Sequence, residues 1–315
     1  MNSIKQPPVI IFGKNSIENY DFPSNPLLIT SSGAKSRGWV KHLKIKNSLL
    51  FENVEPNPSM DTVELIISKF KNETFDYIIG LGGGSVLDVT KFVAYKLKKS
   101  KILIPTTFGS GSEVTRISVL KINGKKTSFH NDGLIADIAI IDPFFIKDTP
   151  FQIIKNSAID ACAQCSEAFD SKLANNYTRF LCKNAFKILE KSLIEKNYDT
   201  LAYGAMISGL GFGNSSTTLG HALSYVFSNE GISHGHALAF TTTVAHKFNN
   251  SDFYERFLKL VKILNFKNIL LKENLNDAAD LILTDVKHLD NNPIPVSKFE
   301  IIKLLDIINK GKIFD

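Results

Sequence analysis

The first half of the chain alternates short, almost wholly apolar runs with segments in which apolar residues return every three or four positions. Residues 9–12, 27–30, 77–80, 102–104 and 138–141 are runs of the first kind. Being apolar at nearly every position rather than every second one, they read as strands buried on both faces of a parallel sheet. Residues 61–71 and 85–98 are of the second kind, so helices are predicted to cross between strands. Residues 114–130, with Gly124 at a turn, read as an added hairpin. After Asp142-Pro143 the strand pattern stops, and helical patterns follow at 152–169, 177–195, 200–212, 221–227, 234–248, 252–264, 275–286 and 297–308. The predicted fold class is α/β plus all-α, with a Rossmann-like nucleotide-binding domain over 1–145 and a helical domain over 146–315. Asp148-Thr149-Pro150 supplies a helix start near the boundary.

With 315 residues and 43% hydrophobic content, the chain can build one large core or two ordinary ones. A net charge of +6 and a pI near 9.0 come from dispersed lysines without a block of like charges. Solvated faces are therefore expected rather than nucleic-acid binding, while a mildly positive field favours an anionic cofactor or substrate. The start, MNSIKQPPVIIF, holds too short an apolar run for a signal peptide, and no run approaches a membrane span. A cytoplasmic location without membrane partners is the expectation. Cys162, Cys165 and Cys182 argue against a disulfide framework, and the Cys-x-x-Cys at 162 and 165 reads as small core side chains on a helix.

Gly82, Gly83, Gly84 and Ser85 follow a predicted strand and open a predicted helix, where bare backbone can approach a diphosphate and the helix start favours negative charge. A second loop of the same chemistry, Pro105 to Thr115, carries Thr106, Thr107, Ser110, Ser112 and Val114 after another strand. A dinucleotide is the expected ligand of the two loops. Ser31, Ser32, Lys35 and Arg37 follow the strand at 27–30, and no acid lies between Thr30 and Trp39. Hydroxyl and basic groups at that place suit a 2′-phosphate, so NADPH is expected over NADH. Three of the seven histidines, His221, His234 and His236, fall within sixteen residues around a Gly-containing bend. Such a pattern suits metal ligation by two imidazoles.

These motifs together resemble the iron-containing (group III) alcohol dehydrogenase family. The likeness runs through Phe12-Gly13, Val54-Glu55-Pro56-Asn57-Pro58, Gly82 to Ser85 with Asp88 three residues on, and the loop from Pro105 to Thr115. It continues through Asp142-Pro143, residues 160–167, residues 221–235 and Asn292-Pro293. The resemblance implies a dehydroquinate synthase-like fold with a divalent metal in the cleft between two domains. It also implies hydride transfer between a nicotinamide and a small alcohol or aldehyde. Residue by residue, the family's metal-binding aspartate falls on Asp160 and two of its metal-binding histidines on His221 and His234. Where most members place a third histidine this chain has Gln164, and where many place a histidine near the nicotinamide it has Tyr225. The spacing from His221 to His234 is one residue shorter than is usual. Gln164, Ser224-Tyr225 and the His-Gly-His at 234–236 resemble the branch that contains phosphonoacetaldehyde reductases.

Asp160 and Gln164, four apart on one predicted helix, point from the same face. With His221 and His234 they offer one carboxylate, two imidazoles and an amide oxygen, a set suited to Fe(II) or Zn(II), bound more loosely than by a third imidazole. The expected activity is NADPH-dependent, metal-dependent reduction of a short aldehyde, an anionic one such as phosphonoacetaldehyde included, with NADH as the second choice of cofactor. Tyr225 is the candidate proton relay, His236 a candidate for substrate contact, and Lys126 for the cofactor diphosphate. Arg116 and His130 are further candidates for an acidic substrate group. A lyase or polyol-phosphate dehydrogenase with the same nucleotide domain, or a non-catalytic nucleotide-binding protein, stays open, as does a homodimer.

Overall fold

The computed structural model describes residues 3–314. It divides into two compact units, one ending at Pro150 and the other beginning at Phe151. The first holds strands β1 (Val9–Phe12), β2 (Leu27–Thr30), β3 (Leu49–Phe51), β4 (Tyr77–Gly82), β5 (Ser100–Pro105), β6 (Ile117–Ile122), β7 (Lys125–His130) and β8 (Ile138–Ile141). Its helices are α1 (Ser32–Ser36), α2 (Trp39–His42), α3 (Met60–Phe70) and α4 (Gly84–Leu97).

Six strands form one sheet in the order β1-β8-β5-β4-β2-β3, every adjacent pair parallel. Alternate residues feed two cores. Leu27, Ile29 and Ile78 pack with Val63, Ile66, Val89 and Val93 of α3 and α4. Leu28, Ile79, Ile102 and Ile140 pack with Trp39, Leu43 and Phe145 on the other side. Burial on both faces explains why these strands are apolar without alternation, and each such side chain contributes about 1.5–3 kcal/mol by leaving water. β6 and β7 form the expected antiparallel hairpin, closed by Asn123 and Gly124, both at positive φ (50° and 78°), the conformation of a tight two-residue turn. Three elements lie outside the pattern read from the sequence: β3, a three-residue strand paired only with β2 at the sheet edge, and the one-turn helices α1 and α2.

The second unit is helical among its described residues. It comprises α5 (Phe151–Asp170), α6 (Asn176–Glu195), α7 (Tyr198–Phe212), α8 (Leu219–Asn229), α9 (His234–Phe248), α10 (Tyr254–Ile263), α11 (Leu275–Leu283), α12 (Val286–Asn291) and α13 (Lys298–Asn309). Helix α5 packs against α6, α7 and α9 and is buried without a break from Ala158 to Ala168. Its polar side chains Asp160, Gln164, Ser166 and Glu167 therefore have to find partners inside the protein. The helix predicted over 275–286 ends early, α11 stopping at Leu283, and the short α12 lies almost wholly beyond the predicted pattern: Asp285 caps it by accepting from the His288 amide at 3.4 Å. A carboxylate in that position competes for the backbone and starts a new helix. No helix among the described residues is long and apolar enough to cross a membrane.

Candidate metal centre and nucleotide-binding loops

Asp160, Gln164 and Glu167, spaced four and then three residues apart, share one side of α5. Two glycines bring other helices against that side. A Cβ on Gly235, in the first turn of α9, would lie 2.0 Å from the Asn156 carbonyl oxygen, so only glycine allows this approach. The side-chain Nδ2 of Asn156 also donates to Ser233 Oγ at 3.0 Å. Asn156 is one turn before Asp160, and His234, beside Gly235, arrives with Nε2 3.9 Å from Asp160 Oδ1. Gly220 does the same for α8: a Cβ there would lie 2.1 Å from Glu167 Oε1 and 2.7 Å from Thr242 Oγ1. Its neighbour His221 places Nε2 3.7 Å from Asp160 Oδ1.

One ligand atom from each of Asp160, His221 and His234 lies within 4.8 Å of the others. Ligand atoms around a tetrahedral ion at metal–ligand distances near 2.0–2.1 Å stand about 3.3 Å apart, so small rotations of these side chains close the set. Two buried atoms, His221 Nε2 and Gln164 Oε1, have no hydrogen-bond partner. Leaving such atoms unpaired costs about 1–3 kcal/mol each, a cost that a cation bound at His221 removes. Gln164 Nε2 donates to Asp160 Oδ1 at 2.9 Å, which keeps its amide beside the carboxylate. The residues present thus fit a divalent metal.

The electrostatics are those of a cation site. Burial works against charge on His221, yet Glu167 and Asp160 outweigh it and push the imidazole up to about 9. Burial likewise opposes charge on Glu167, but His221 and the Thr218 amide hold its carboxyl below the usual range. Tyr225 is half-buried one turn after His221. Burial, then Asp285, Asp160 and Glu167, push its phenol upward. The ring of Tyr225 is 6.1 Å from that of His288, which stacks 6.3 Å from His221. Both carboxylate oxygens of Asp285 hold His288 Nδ1, at 2.8 and 2.7 Å. His236, two residues beyond His234, is engaged elsewhere: its Nε2 lies 2.6 Å from the Lys267 carbonyl and its ring rests on Phe266 and Phe240. Cys162, Cys165 and Cys182 are buried thiols, and burial pushes Cys165 up to about 12.

In the first unit the two glycine- and hydroxyl-rich loops form one structure. The Thr106 amide donates to Gly82 O at 3.0 Å. Cβ atoms on Gly83 and Gly84 would come within 3.0 Å of Thr107 Oγ1 and 2.8 Å of Ser110 Oγ. Helix α4 begins with no side-chain cap and no acid in its first turn, so its start suits an anion. Ser85 Oγ accepts from the Asn57 amide at 3.3 Å. Asp88 accepts from Ser112 Oγ at 2.6 Å and from the Val119 amide at 3.0 Å, tying α4 to the loop and hairpin. Lys91, fully buried, donates to the carbonyls of Ser112 (2.8 Å) and Ile117. Val114 is buried and Lys126 half-buried on β7. Arg116 pairs with Asp132 at 2.6 Å, and His130 Nε2 meets Ser128 Oγ at 2.8 Å.

At the end of β2, Ser31 caps α1 by accepting from the Ala34 amide, with Ser32 exposed beside it. Arg37 donates to Gly33 O at 3.0 Å and lies over Trp39. Lys35 pairs with Glu52 at 2.5 Å. The acid missing from the local sequence is therefore supplied through space from just beyond β3.

Residues 7–143 match the iron-containing alcohol dehydrogenase family, and residues 154–303 match the C-terminal part of the Fe-containing alcohol dehydrogenase family. The chain belongs to this family. Long-chain-alcohol dehydrogenase 1 of Geobacillus thermodenitrificans is 33% identical over 60% of this chain and 56% of its own length. This chain thus spans little more than half of that relative. Sulfoacetaldehyde reductase of Bilophila wadsworthia is 27% identical over 82% of this chain and 83% of its own. The crystal structure of sulfoacetaldehyde reductase from Bifidobacterium kashiwanohense in complex with NAD+ superposes with a TM-score of 0.90 at 22% identity, covering 98% and 99% of the two chains, and shows the shared fold.

Within this family member, three residues beside the cluster escaped the sequence reading. Glu167 carried a usable signal, since it continues the face of Asp160 and Gln164 by one more turn. Asp285 and His288 carried none, because the short helix α12 that places them lies almost wholly beyond the helical pattern over 275–286.

Proposed function

We propose that the chain is a metal-dependent, NADPH-linked reductase of a short aldehyde. Asp160, His221 and His234 would hold Fe(II) or Zn(II), with Gln164 Oε1 beside them. The observation that carries this reading is the convergence of three ligand atoms on a place where His221 Nε2 and Gln164 Oε1 are buried without partners. Two imidazoles and one carboxylate suit either ion and leave coordination positions open for substrate. When bound, the metal supplies Lewis-acid polarisation of the carbonyl oxygen, favouring arrival of hydride at the carbonyl carbon.

The chain's own side chains do the rest. Tyr225, kept protonated by burial and by the surrounding carboxylates, relays a proton: its phenol gives one to the alcohol oxygen as the carbonyl is reduced and takes one from solvent on its half-exposed side, so that no phenolate remains beside the carboxylates. Asp285 and His288 hold a polar wall behind it. His236, seated on Lys267, braces the chain around Phe266 rather than touching substrate. In the first unit, the open start of α4 with Thr106, Thr107 and Ser110 takes the diphosphate, and Ser31, Ser32, Lys35 and Arg37 take the adenosine end with its 2′-phosphate. Asp88, Ser112 and Val114 shape that loop from beneath.

For the substrate we favour a two-carbon aldehyde bearing an acidic group, a sulfonate or phosphonate. Support comes from the sulfoacetaldehyde reductase named above and from the net positive charge of +6. NADPH consumption by the Fe(II)- and Zn(II)-loaded protein over a panel of short aldehydes, with and without an acidic group, tests the reading. A metal-loaded protein that oxidises no NADPH with any of them sinks it.

A further inference from the structure

We infer that Glu167 is a positioning residue that selects the tautomer of His221 and so sets the strength of the metal centre. The inference rests on the reading of Asp160, His221 and His234 as metal ligands. Glu167 is 2% exposed, in the last turn of α5. Its Oε2 accepts from the Thr218 amide at 3.0 Å and lies 2.7 Å from His221 Nδ1. The Glu167 carboxylate can only accept, from the Thr218 amide and from His221 alike, so His221 Nδ1 carries the proton that meets it. The lone pair of a neutral His221 is then on Nε2, the unpartnered atom facing Asp160. The other carboxylate oxygen is not held by a hydrogen bond. The missing side chain of Gly220 leaves room for Glu167 Oε1 and Thr242 Oγ1, both of which border that point and neither of which has a hydrogen-bond partner. A carboxylate behind a ligating imidazole fixes the ring and raises its basicity.

Glu167→Gln separates charge from shape. The Thr218 amide obliges the new side chain to keep an oxygen toward His221, while its NH2 faces Thr242, so the ring stays in place and only the negative charge is lost. Zn(II) affinity, measured by competition with a chromophoric chelator, is expected to fall about 10- to 100-fold. The Nδ1–H proton resonance of His221 in the Zn(II)-loaded protein is expected to move upfield. Leu193→Ala in α6 serves as the control for destabilisation alone. Wild-type Zn(II) affinity in Glu167→Gln, or a loss no larger than in the control with an unmoved Nδ1–H resonance, overturns the positioning role. A wild-type protein that binds no Zn(II) overturns instead the metal assignment beneath it, and this role with it.

Discussion

Gly235 lies so close to Asn156 that a methyl group on its Cα would sit 2.0 Å from the Asn156 carbonyl oxygen. This contact sets where the first turn of α9 meets α5, and so where His234 meets Asp160. Gly235→Ala must push the two helices apart, at a cost of about 1–3 kcal/mol in folding stability. Because His234 moves with the displaced turn, Zn(II) affinity is expected to drop as well. Urea unfolding of the metal-free variant and a metal titration check the two effects. Loss of stability with an unchanged metal affinity would show that His234 is not placed by this contact.

The carboxylates around His221 give opposite pH dependences with and without metal. In the metal-free protein its folded-state value is about 9 against an ordinary 6.5. The stability it contributes is therefore fully present below about 6.5 and is lost as pH rises through about 9. Metal binding needs the neutral ring, so affinity rises by about tenfold per pH unit up to that value. Thermal unfolding between pH 6 and 9.5 should show the metal-free protein weakening while saturating Zn(II) stabilises it progressively more. Parallel curves would contradict the assignment of His221.

The proposed preference for NADPH rests on Arg37 and Lys35, the latter paired with Glu52. Arg37→Ala is expected to raise the apparent KM for NADPH roughly tenfold or more, the loss of one charged hydrogen bond worth about 1.5–3 kcal/mol, and to leave NADH almost unaffected. Glu52→Gln frees Lys35 from its 2.5 Å ion pair and should shift preference further toward NADPH. Equal responses of the two cofactors to Arg37→Ala would remove the 2′-phosphate from the proposal.

A variant at Tyr225 separates the proposed proton delivery from metal binding. Tyr225→Phe should keep the metal and the cofactor affinity and lower kcat by about 10²-fold, the lower end of what a positioned acid contributes. An unchanged kcat would make it a packing residue against His288.

Most of this architecture was readable from periodicity alone. Strands such as Ile138–Ile141 announce themselves because burial on both faces leaves no polar alternation, and α5 because apolar residues return every three or four positions along its twenty residues. What escaped was either short or non-local. β3 is three residues at a sheet edge, and the partition of α11 from α12 turns on one capping carboxylate, Asp285. At the site, Asp160 and Gln164 share a helix face and are legible by spacing. The grip of Glu167 on His221 joins residues 54 apart in the chain, and the pairing of Lys35 with Glu52 crosses from one strand end to the next. Neither leaves a local pattern.

The central claim is that a metal held by Asp160, His221 and His234 makes this chain an aldehyde reductase. The most direct measurement is the Zn(II) or Fe(II) content of purified wild-type and His234→Ala protein, taken together with their rates of NADPH oxidation by a short aldehyde. One metal ion per wild-type chain, its loss in His234→Ala and a parallel collapse of the rate are predicted. Equal metal content in the two proteins, or a rate that survives the loss of metal, would contradict the account.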